Sequence, residues 1–296
     1  MSLRIGWIGL GKLGAPMARH AAPGHAFRAL DRDPARLAEV PGATAAEDIP
    51  RLAAWAEVLV TSLPDDAALR AVALGPGGVL AHLAPGAVLA ETSTVSPAAS
   101  AELRAAADAR GALYLAAPVS GSTATAEAAA LTLFCSGPAA ALERARPVLA
   151  RFARAIHAVG AGEEARFLKL AINHFVGTTA QVAAEALTLA RKGGVAWPVL
   201  LEVLGASVAA SPLIAYKLDP LRRRDFAPAF CVAQMAKDMA LAAEAGAAAG
   251  VPMPLAALVR DAFRRQAGEY GELDFFAALL EAERAAGLGE PGEGAA

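Results

Sequence analysis

The chain has 296 residues, more than a single hydrophobic core usually contains, so we expect two domains. Hydrophobic residues make up 56% of the sequence, which is enough for a large buried core. The formal net charge of -2 excludes broad electrostatic attraction to DNA or RNA, and no nucleic-acid partner is expected.

A short apolar strand at the start of the chain leads into a glycine-rich turn. Apolar residues at positions 5–8 precede the pattern Gly9-x-Gly11-x-x-Gly14, and residues 12–20 then have helical spacing. The first glycine permits a tight bend, the second lets the backbone approach a pyrophosphate, and the third lets the helix pack on the strand. N–H groups at the start of the helix would bind the phosphates. The predicted dinucleotide site comprises Gly9, Leu10, Gly11, Lys12, Leu13 and Gly14.

Asp31 ends the next apolar strand, at the spacing from the glycines where an acidic side chain accepts hydrogen bonds from an adenosine ribose. A glycine pattern alone would also fit an ordinary strand-to-helix turn, but here the helix, the second strand and the acidic residue follow in register. The Asp31 carboxylate repels a 2′-phosphate and favours NAD, whereas Arg32 could bind that phosphate or stack on adenine. The choice between NAD and NADP therefore stays open.

Strand and helix signals continue to alternate beyond this point. Apolar strand segments at residues 58–61, 88–90, 113–115 and 131–134 are separated by helical stretches. This alternation predicts an α/β fold with a Rossmann-type, doubly wound parallel sheet. Because ligands of such sheets bind beyond the carboxyl ends of the strands, the loops after the strands are candidate binding sites. These loops are residues 62–65, 91–94 and 118–121.

The second half of the chain has helical patterns throughout. Residues 163–192 can form one long helix, which Gly193 and Gly194 would end. We therefore assign residues 1–160 to a dinucleotide-binding domain and residues 161–296 to an all-helical substrate and oligomerisation domain that begins with a long interdomain helix. Turns between the later helices are expected at residues 210–212, 224–228, 250–254 and 268–272.

Neither a metal site nor a disulfide framework is predicted. Cys135 and Cys231 are far apart and have no His or Cys partner at metal-ligand spacing, so we expect two buried apolar fillers. Residues 71–90 carry no charge, but the glycines and prolines among them break any membrane-spanning helix. The first residues lack the pattern of a secretion signal. We expect a cytoplasmic protein without a membrane partner.

Four segments occur in order along nearly the whole chain. They are residues 6–18, residues 117–121 (Ala-Pro-Val-Ser-Gly), residues 169–173 (Lys-Leu-Ala-Ile-Asn), and residues 226–230 followed by Lys237-Asp238. They resemble the nucleotide signature, the substrate-binding motif, the catalytic segment and a second-lysine motif of the β-hydroxyacid dehydrogenase family, which includes 3-hydroxyisobutyrate dehydrogenase and tartronate semialdehyde reductase. The combination is far more specific than any one segment.

The resemblance implies that Lys169 and Asn173 are catalytic. Oxidation of a hydroxy acid needs a proton acceptor within hydrogen-bond reach of the hydroxyl while a hydride leaves. A lysine with the ordinary pKa of about 10.4 is a poor base at neutral pH, but burial and nearby positive charge would lower that pKa. By spacing alone Lys169 fits a surface position of an amphipathic helix, and it is the motif that favours catalysis. Asn173, four residues on, shares its helix face and could position the substrate or the lysine.

Ser120 and Gly121 form a small polar turn after a strand, which could offer a hydroxyl and N–H groups to a carboxylate. A Ser-Gly pair alone is more often a plain turn, but the resemblance implies that these residues, with Ser122, hold the substrate. The sequence departs from the family pattern at Ala116, Ser122 and Ile172, where Asp, Gly and Asn are common. Because Ser122 lies beside the expected carboxylate site, the identity of the substrate stays open.

The resemblance also implies cofactor roles for Leu63, Pro64 and Thr94, which lie in two of the strand-end loops selected above. Lys237 could form a solvated ion pair with Asp238, but by resemblance it reaches the nicotinamide side of the cofactor. Its charge would then help to lower the pKa of the catalytic lysine.

The predicted function is NAD(P)-dependent oxidation of a small 3-hydroxy acid, with 3-hydroxyisobutyrate, converted to methylmalonate semialdehyde, as the first candidate. The alternatives are a reductase of tartronate, succinic or glyoxylic semialdehyde and, from another class, a non-enzymatic nucleotide-binding scaffold that could dispense with Lys169. Imine reduction on the same scaffold would favour a different residue at position 169. Apolar helices commonly pack against another subunit, so a homo-oligomer, dimer or tetramer, is expected.

Overall fold

The computed structural model describes residues 2–289, in which a sheet with flanking helices is followed by helices alone. The strands are β1 (Arg4–Ile8), β2 (Ala26–Leu30), β3 (Thr44–Ala45), β4 (Val58–Thr61), β5 (Val88–Glu91), β6 (Leu113–Ala116), β7 (Val119–Ser120), β8 (Leu131–Ser136) and β9 (Ala153–Gly160). The helices are α1 (Gly14–Ala21), α2 (Ile49–Trp55), α3 (Asp66–Leu74), α4 (Val79–His82), α5 (Pro97–Asp108), α6 (Thr123–Glu127), α7 (Ala139–Leu149), α8 (Glu164–Lys192), α9 (Trp197–Ala206), α10 (Pro212–Arg223), α11 (Val232–Ala248), α12 (Pro254–Tyr270) and α13 (Ala278–Ala285).

The chain divides into two compact units between Leu170 and Ala171, inside α8. The first unit contains the sheet and the helices up to the first two turns of α8. The second unit contains the remainder of α8 and the helices that follow it. The unit boundary therefore lies ten residues beyond the position 160 that we assigned from the sequence.

Six strands of the first unit form a parallel sheet in the order β3-β2-β1-β4-β5-β6, which confirms the predicted doubly wound architecture. All four residues of β4 and all four of β5 are buried, as expected for central strands covered on both faces. The order of the strands reverses beside β1, because β2 and β3 lie on one side of it and β4, β5 and β6 on the other. Ligands of such sheets bind at this reversal, beyond the carboxyl ends of the strands.

The last strands do not continue the parallel pattern that we expected for residues 131–134. β8 pairs antiparallel with β6 and with β7, and only β9 is parallel to β8. A parallel return to β6 would usually need a full crossover helix. Here the connection contains β7 and only the five-residue helix α6, so the chain returns in the opposite direction.

The core of the first unit reaches directly to the glycine-rich turn. Trp7 is fully buried and lies between Phe27 and Phe152, with ring centroids 6.0 Å from each. Its indole Nε1 donates a hydrogen bond of 3.0 Å to the carbonyl oxygen of Gly9. A rigid aromatic cluster therefore fixes the start of the turn that follows β1.

In the second unit, α8 agrees with the long helix predicted for residues 163–192, and it ends at Gly193 and Gly194, the latter with φ +90°. The turn expected at 268–272 is wrong at its start, because α12 continues through Gly268 to Tyr270. Three large apolar side chains recur at every second turn of α8 and remain exposed: Phe175 (76%), Val182 (57%) and Leu189 (75%).

Among residues 2–289, no helix has the length and apolarity needed to cross a membrane. Cys135 and Cys231 are free thiols and both are buried, as predicted. Cys135 lies in β8 with 1% of its surface exposed.

We expect Cys135 to resist alkylation in the folded protein. Burial raises the pKa of its thiol to about 12, so only about one thiol in 10⁴ is ionised at pH 8. Treatment with iodoacetamide at pH 8, followed by peptide mass spectrometry, should leave Cys135 unmodified. The same peptide from protein unfolded in urea should be alkylated completely, and equal labelling in both samples would contradict the burial of this thiol.

Candidate active site

Two of the three glycines in the turn after β1 are required by close backbone packing. Gly9 has φ +95°, and a Cβ built on it would lie 2.1 Å from the carbonyl oxygen of Ser62. A Cβ on Gly14 would lie 2.1 Å from the carbonyl oxygen of Gly9. Gly11 differs, because a Cβ there would meet no atom within 4 Å. Only Gly11 therefore leaves open space above the turn, where a pyrophosphate can approach the backbone.

The end of the turn offers N–H groups to an anion. Leu13 is the N-cap residue of α1, and no side chain caps this helix end. Lys12 is exposed, whereas the side chain of Leu10 is fully buried, so Leu10 presents only its backbone. Uncapped N–H groups and the positive end of the helix dipole favour a phosphate. Together with the space above Gly11, these features fit a bound dinucleotide.

Asp31 follows β2 and is anchored to the turn. Its Oδ2 accepts a hydrogen bond of 2.6 Å from the backbone N–H of Leu10, and its Oδ1 accepts one of 2.9 Å from Asp33. Arg36, which the sequence analysis did not select, donates from Nη1 to the carbonyl oxygen of Leu10 at 3.1 Å. Both backbone polar groups of Leu10 are thus engaged, while the side chain of Arg32 is exposed.

The loops after β4 and β5 are tied to each other. The backbone N–H of Leu63 donates to Oγ of Ser93 at 2.7 Å, and the N–H of Ser93 donates to Oε1 of Glu91 at 2.8 Å. The predicted cofactor residues Pro64 and Thr94 each follow one of these bonded residues in the chain. Ser93 was missed by the sequence analysis, although it lies inside one of the loops selected there.

The turn expected to hold the substrate has a rigid local structure. Ser120 ends β7, and Gly121 has φ +146° with its backbone packed against Thr125 Oγ1, which a Cβ would approach to 2.3 Å. Ser122 is the N-cap of α6: its N–H donates to Thr125 Oγ1 at 2.7 Å, and its Oγ accepts from Thr125 N–H at 3.4 Å. The hydroxyl of Ser122 is therefore engaged in capping a helix.

Lys169 and Asn173 lie one turn apart on α8, the first in one unit and the second in the other. Both are buried, with 8% and 6% of their surfaces exposed. A lysine on the solvated face of an amphipathic helix would be far more exposed.

Within the second unit, Asp238 joins two of the predicted residues. Asn173 Nδ2 donates to Asp238 Oδ2 at 2.5 Å, and Lys237 Nζ lies 3.0 Å from Asp238 Oδ1. Asp238 has only 1% of its surface exposed. From the sequence, Asp238 is only a possible surface partner of Lys237, and its bond to Asn173 depends on the packing of α11 against α8.

Gly177 allows that packing. A Cβ on Gly177 would lie 2.9 Å from Met239 Sδ and 3.0 Å from Met235 Sδ. These methionines flank Asp238 along α11. The absence of a side chain at Gly177 therefore lets α11 approach α8 one turn beyond Asn173.

The segment that leads to α11 is anchored by a buried ion pair. Lys217 Nζ contacts both carboxylate oxygens of Asp274 at 2.7 Å, and Asp274 Oδ2 also accepts from Ala229 N–H at 3.3 Å. The ring of Phe275 lies 4.9 Å from the same ammonium. The ammonium of Lys217 is therefore held in an ion pair that supports the fold.

Two family models together match residues 4–282. The NAD binding domain of 6-phosphogluconate dehydrogenase matches residues 4–160. A model described as NAD-binding of NADP-dependent 3-hydroxyisobutyrate dehydrogenase matches residues 160–282. These matches identify the cofactor as NAD or NADP.

Individual proteins are similar over most of their length. A 2-(hydroxymethyl)glutarate dehydrogenase from Eubacterium barkeri is 35% identical over 266 residues, covering 88% of each chain. An NAD-dependent L-serine dehydrogenase from Pseudomonas aeruginosa is 32% identical over 283 residues, covering 92% of this chain and 95% of that one. The solved structure of 3-hydroxyisobutyrate dehydrogenase from Mycobacterium tuberculosis with L-serine has a TM-score of 0.86 and 31% identity, and the match covers 95% of this chain and 99% of that chain.

We predict that Gly11→Ala weakens cofactor binding without unfolding the free protein. The new Cβ meets no protein atom within 4 Å, so it enters only the space above the turn. The dissociation constant for NADH or NADPH should rise at least about tenfold, while the melting temperature of the cofactor-free protein moves by less than about 2 °C. Fluorescence titration and calorimetry measure the two quantities.

Gly268→Ala is the matched control, because its Cβ is also unobstructed but lies in α12, in the second unit. This variant should bind the cofactor as the unmodified protein does. Unchanged affinity in Gly11→Ala would show that the pyrophosphate does not approach this peptide.

Proposed function

This chain belongs to the β-hydroxyacid dehydrogenase family as an NAD(P)-dependent hydroxyacid oxidoreductase, and from that premise we propose that it oxidises a short 3-hydroxy acid to the corresponding semialdehyde. The substrate that we place first is 3-hydroxyisobutyrate. The observation that carries the proposal is the burial of Lys169 one helical turn from Asn173, whose amide is held by the buried Asp238.

Bound NAD(P) supplies the acceptor for the hydride. The chain's own residues move the proton: Lys169, as the free amine, accepts it from the substrate hydroxyl at Nζ, and in the reverse direction the ammonium returns it to the oxygen. Asn173 orients the reacting group with its amide, and Asp238 restrains the rotation of that amide by accepting from Nδ2. In this proposal the turn at Ser120 and Gly121 binds the substrate carboxylate.

The relatives support the substrate class through a shared chemical unit. L-Serine, 3-hydroxyisobutyrate and 2-(hydroxymethyl)glutarate each carry a hydroxymethyl group and a carboxylate on the same carbon, and these compounds appear in the names of the related enzymes. They differ in the third substituent on that carbon. We therefore propose that the hydroxymethyl and carboxylate groups are the recognised part, and that the third substituent determines the preferred substrate.

A steady-state panel tests this proposal. The panel comprises 3-hydroxyisobutyrate, L-serine, 2-(hydroxymethyl)glutarate and glycerate, each with NAD and with NADP, together with tartronate, succinic and glyoxylic semialdehydes in the reducing direction. We expect 3-hydroxyisobutyrate to have the highest kcat/KM. A higher value for any semialdehyde of the panel would favour the reductase alternative. Cofactor binding without turnover of any compound would favour the non-enzymatic scaffold.

Lys169→Ala should lower kcat by about 10²–10⁴-fold, the usual contribution of one positioned acid or base, while NAD(P)H still binds. Lys192→Ala is the matched control on the same helix, since Lys192 is the last residue of α8 and its ammonium donates to the carbonyl oxygen of Ala286. Its kcat should match that of the unmodified enzyme. Comparable turnover in the two variants would remove Lys169 from the mechanism.

We also propose a homo-oligomer built through the exposed stripe of α8 formed by Phe175, Val182 and Leu189. Apolar side chains repeated along one helix face are typical of a helix that packs against another subunit. The stripe lies in the all-helical unit, to which we assign oligomerisation.

Light scattering after gel filtration tests the oligomer. Leu189→Glu places a charge in the stripe and should shift the mass from a multiple of 30.0 kDa towards the single-chain value of 30.0 kDa. Val208→Glu is the control, because Val208 is fully exposed but lies outside α8, and it should keep the mass of the parent. A monomeric parent protein would overturn the proposal.

A further inference from the structure

An ion pair is completely buried beneath the loop that follows β5. Glu91, the last residue of β5, and Arg166, in the first turn of α8, have side-chain exposures of 0% and 1%. Arg166 Nη2 contacts Glu91 Oε2 directly. Charges so deeply buried are tolerated only when they are paired and when their remaining hydrogen-bonding groups are satisfied.

All three nitrogen atoms of the guanidinium donate further hydrogen bonds. Nη1 donates to the carbonyl oxygen of Ser93 at 2.8 Å, Nε donates to Ser100 Oγ at 3.2 Å, and Nη2 also donates to the hydroxyl of Tyr114 at 2.9 Å. Burial disfavours the charged guanidinium, but Tyr114 and Glu91 outweigh burial and raise the pKa of Arg166. A lysine could keep the charge but could not reproduce this planar set of contacts.

Ser93 is restrained at three of its atoms. Its N–H donates to Glu91 Oε1, its carbonyl oxygen accepts from Arg166, and its Oγ accepts from the N–H of Leu63. The ion pair therefore determines the path of the chain entering Thr94 and, through Ser93, the position of Leu63. Both are residues to which we assign contact with the cofactor.

Arg166 is also three residues before Lys169, which corresponds to a rise of about 4.5 Å along the helix. The start of α8 has a separate anchor, because Arg104 Nε donates to Glu163 Oε1 at 2.9 Å and Nη1 donates to the carbonyl oxygen of Ala161 at 2.7 Å. Arg104 holds the end of the helix but does not contact Ser93. Arg166 joins the proton-transferring helix to the loop after β5 through the carbonyl oxygen of Ser93.

We propose that Arg166, held by Glu91, is a positioning residue. It keeps the loop at Ser93–Thr94, and with it Leu63, at a fixed position relative to Lys169. This inference rests on the proposed function, in which Lys169 exchanges the proton and the two loops contact the cofactor. It adds a residue that touches neither substrate nor cofactor but determines how far the base lies from the reacting carbon.

Arg166→Lys tests the proposal, with Tyr114→Phe as the matched control. The lysine retains a charge for Glu91 but loses the contact with the carbonyl of Ser93. Tyr114→Phe removes a hydroxyl from the same guanidinium and leaves that contact intact. Hydrogen exchange of the full-length, cofactor-free protein is measured in peptides containing Leu63 and Ser93–Thr94, and kcat and KM are measured for the cofactor and the hydroxy acid.

In Arg166→Lys we expect exchange at Leu63 and Ser93–Thr94 to accelerate at least about tenfold and kcat to fall by about 10–100-fold, with KM for the hydroxy acid changed less than about threefold. Tyr114→Phe should stay within about twofold of the parent in loop exchange and kcat, even if its melting temperature falls. Equal effects in both variants would mean that the cluster only supports the core, and would overturn the proposal.

Ser93→Ala covers the case in which Arg166→Lys does not fold. It removes only the hydroxyl that accepts from Leu63 and keeps the ion pair. Faster exchange at Leu63 together with a lower kcat is expected, and no change in either would also overturn the proposal. If the parent enzyme oxidises no hydroxy acid, the proposed function fails, but the exchange data still decide whether Arg166 positions the two loops.

Discussion

A guanidinium and a carboxylate without access to water join the sheet to the start of the long helix. The free energy that holds Glu91 and Arg166 together is less informative than the cost of separating them, since loss of one partner from a buried pair costs about 3–5 kcal/mol. Total domain stability is about 5–15 kcal/mol. A conformation in which the first turn of α8 moved away from the end of β5 would therefore be poorly populated. The same pair restrains Ser93, so the rigidity of the core extends to the loops after β4 and β5.

The second unit uses a comparable arrangement beside its own functional residues. Lys217 and Asp274 form a buried pair that also receives the N–H of Ala229, and this segment precedes α11, which carries Asp238. Gly177 then permits the close approach of α11 to α8. In both units, a buried charge whose hydrogen-bonding groups are satisfied fixes the start of a loop or helix. The neighbouring residues that we expect to act in catalysis are thereby held in position.

The sequence predicts best those features that are determined by residues close together in the chain. The glycine turn, Asp31 and α8 each depend on residues within one short segment, and the structure contains all three. The direction of β8 could not be read from its own apolar pattern, because it depends on the pairing partner and on the short connection from β6. The family resemblance indicated residue types at the site, whereas the partners of Asn173 and Ser93 become visible only when distant segments pack. Glu91 gave one usable signal: it is a charged residue at the end of an otherwise apolar strand.

Ser122 shows how the local structure bears on substrate choice. The sequence alone suggests that a hydroxyl in place of the usual glycine adds a polar group beside the expected carboxylate site. In the structure that hydroxyl accepts from Thr125 N–H, and the N–H of Ser122 donates to the Thr125 hydroxyl. A hydroxyl can accept one hydrogen bond and donate another at the same time, so the cap does not have to be released before the Ser122 O–H donates to a carboxylate. Ser122 therefore stiffens the turn after Gly121 through its capping bond, and its O–H hydrogen is the part that can take part in substrate choice.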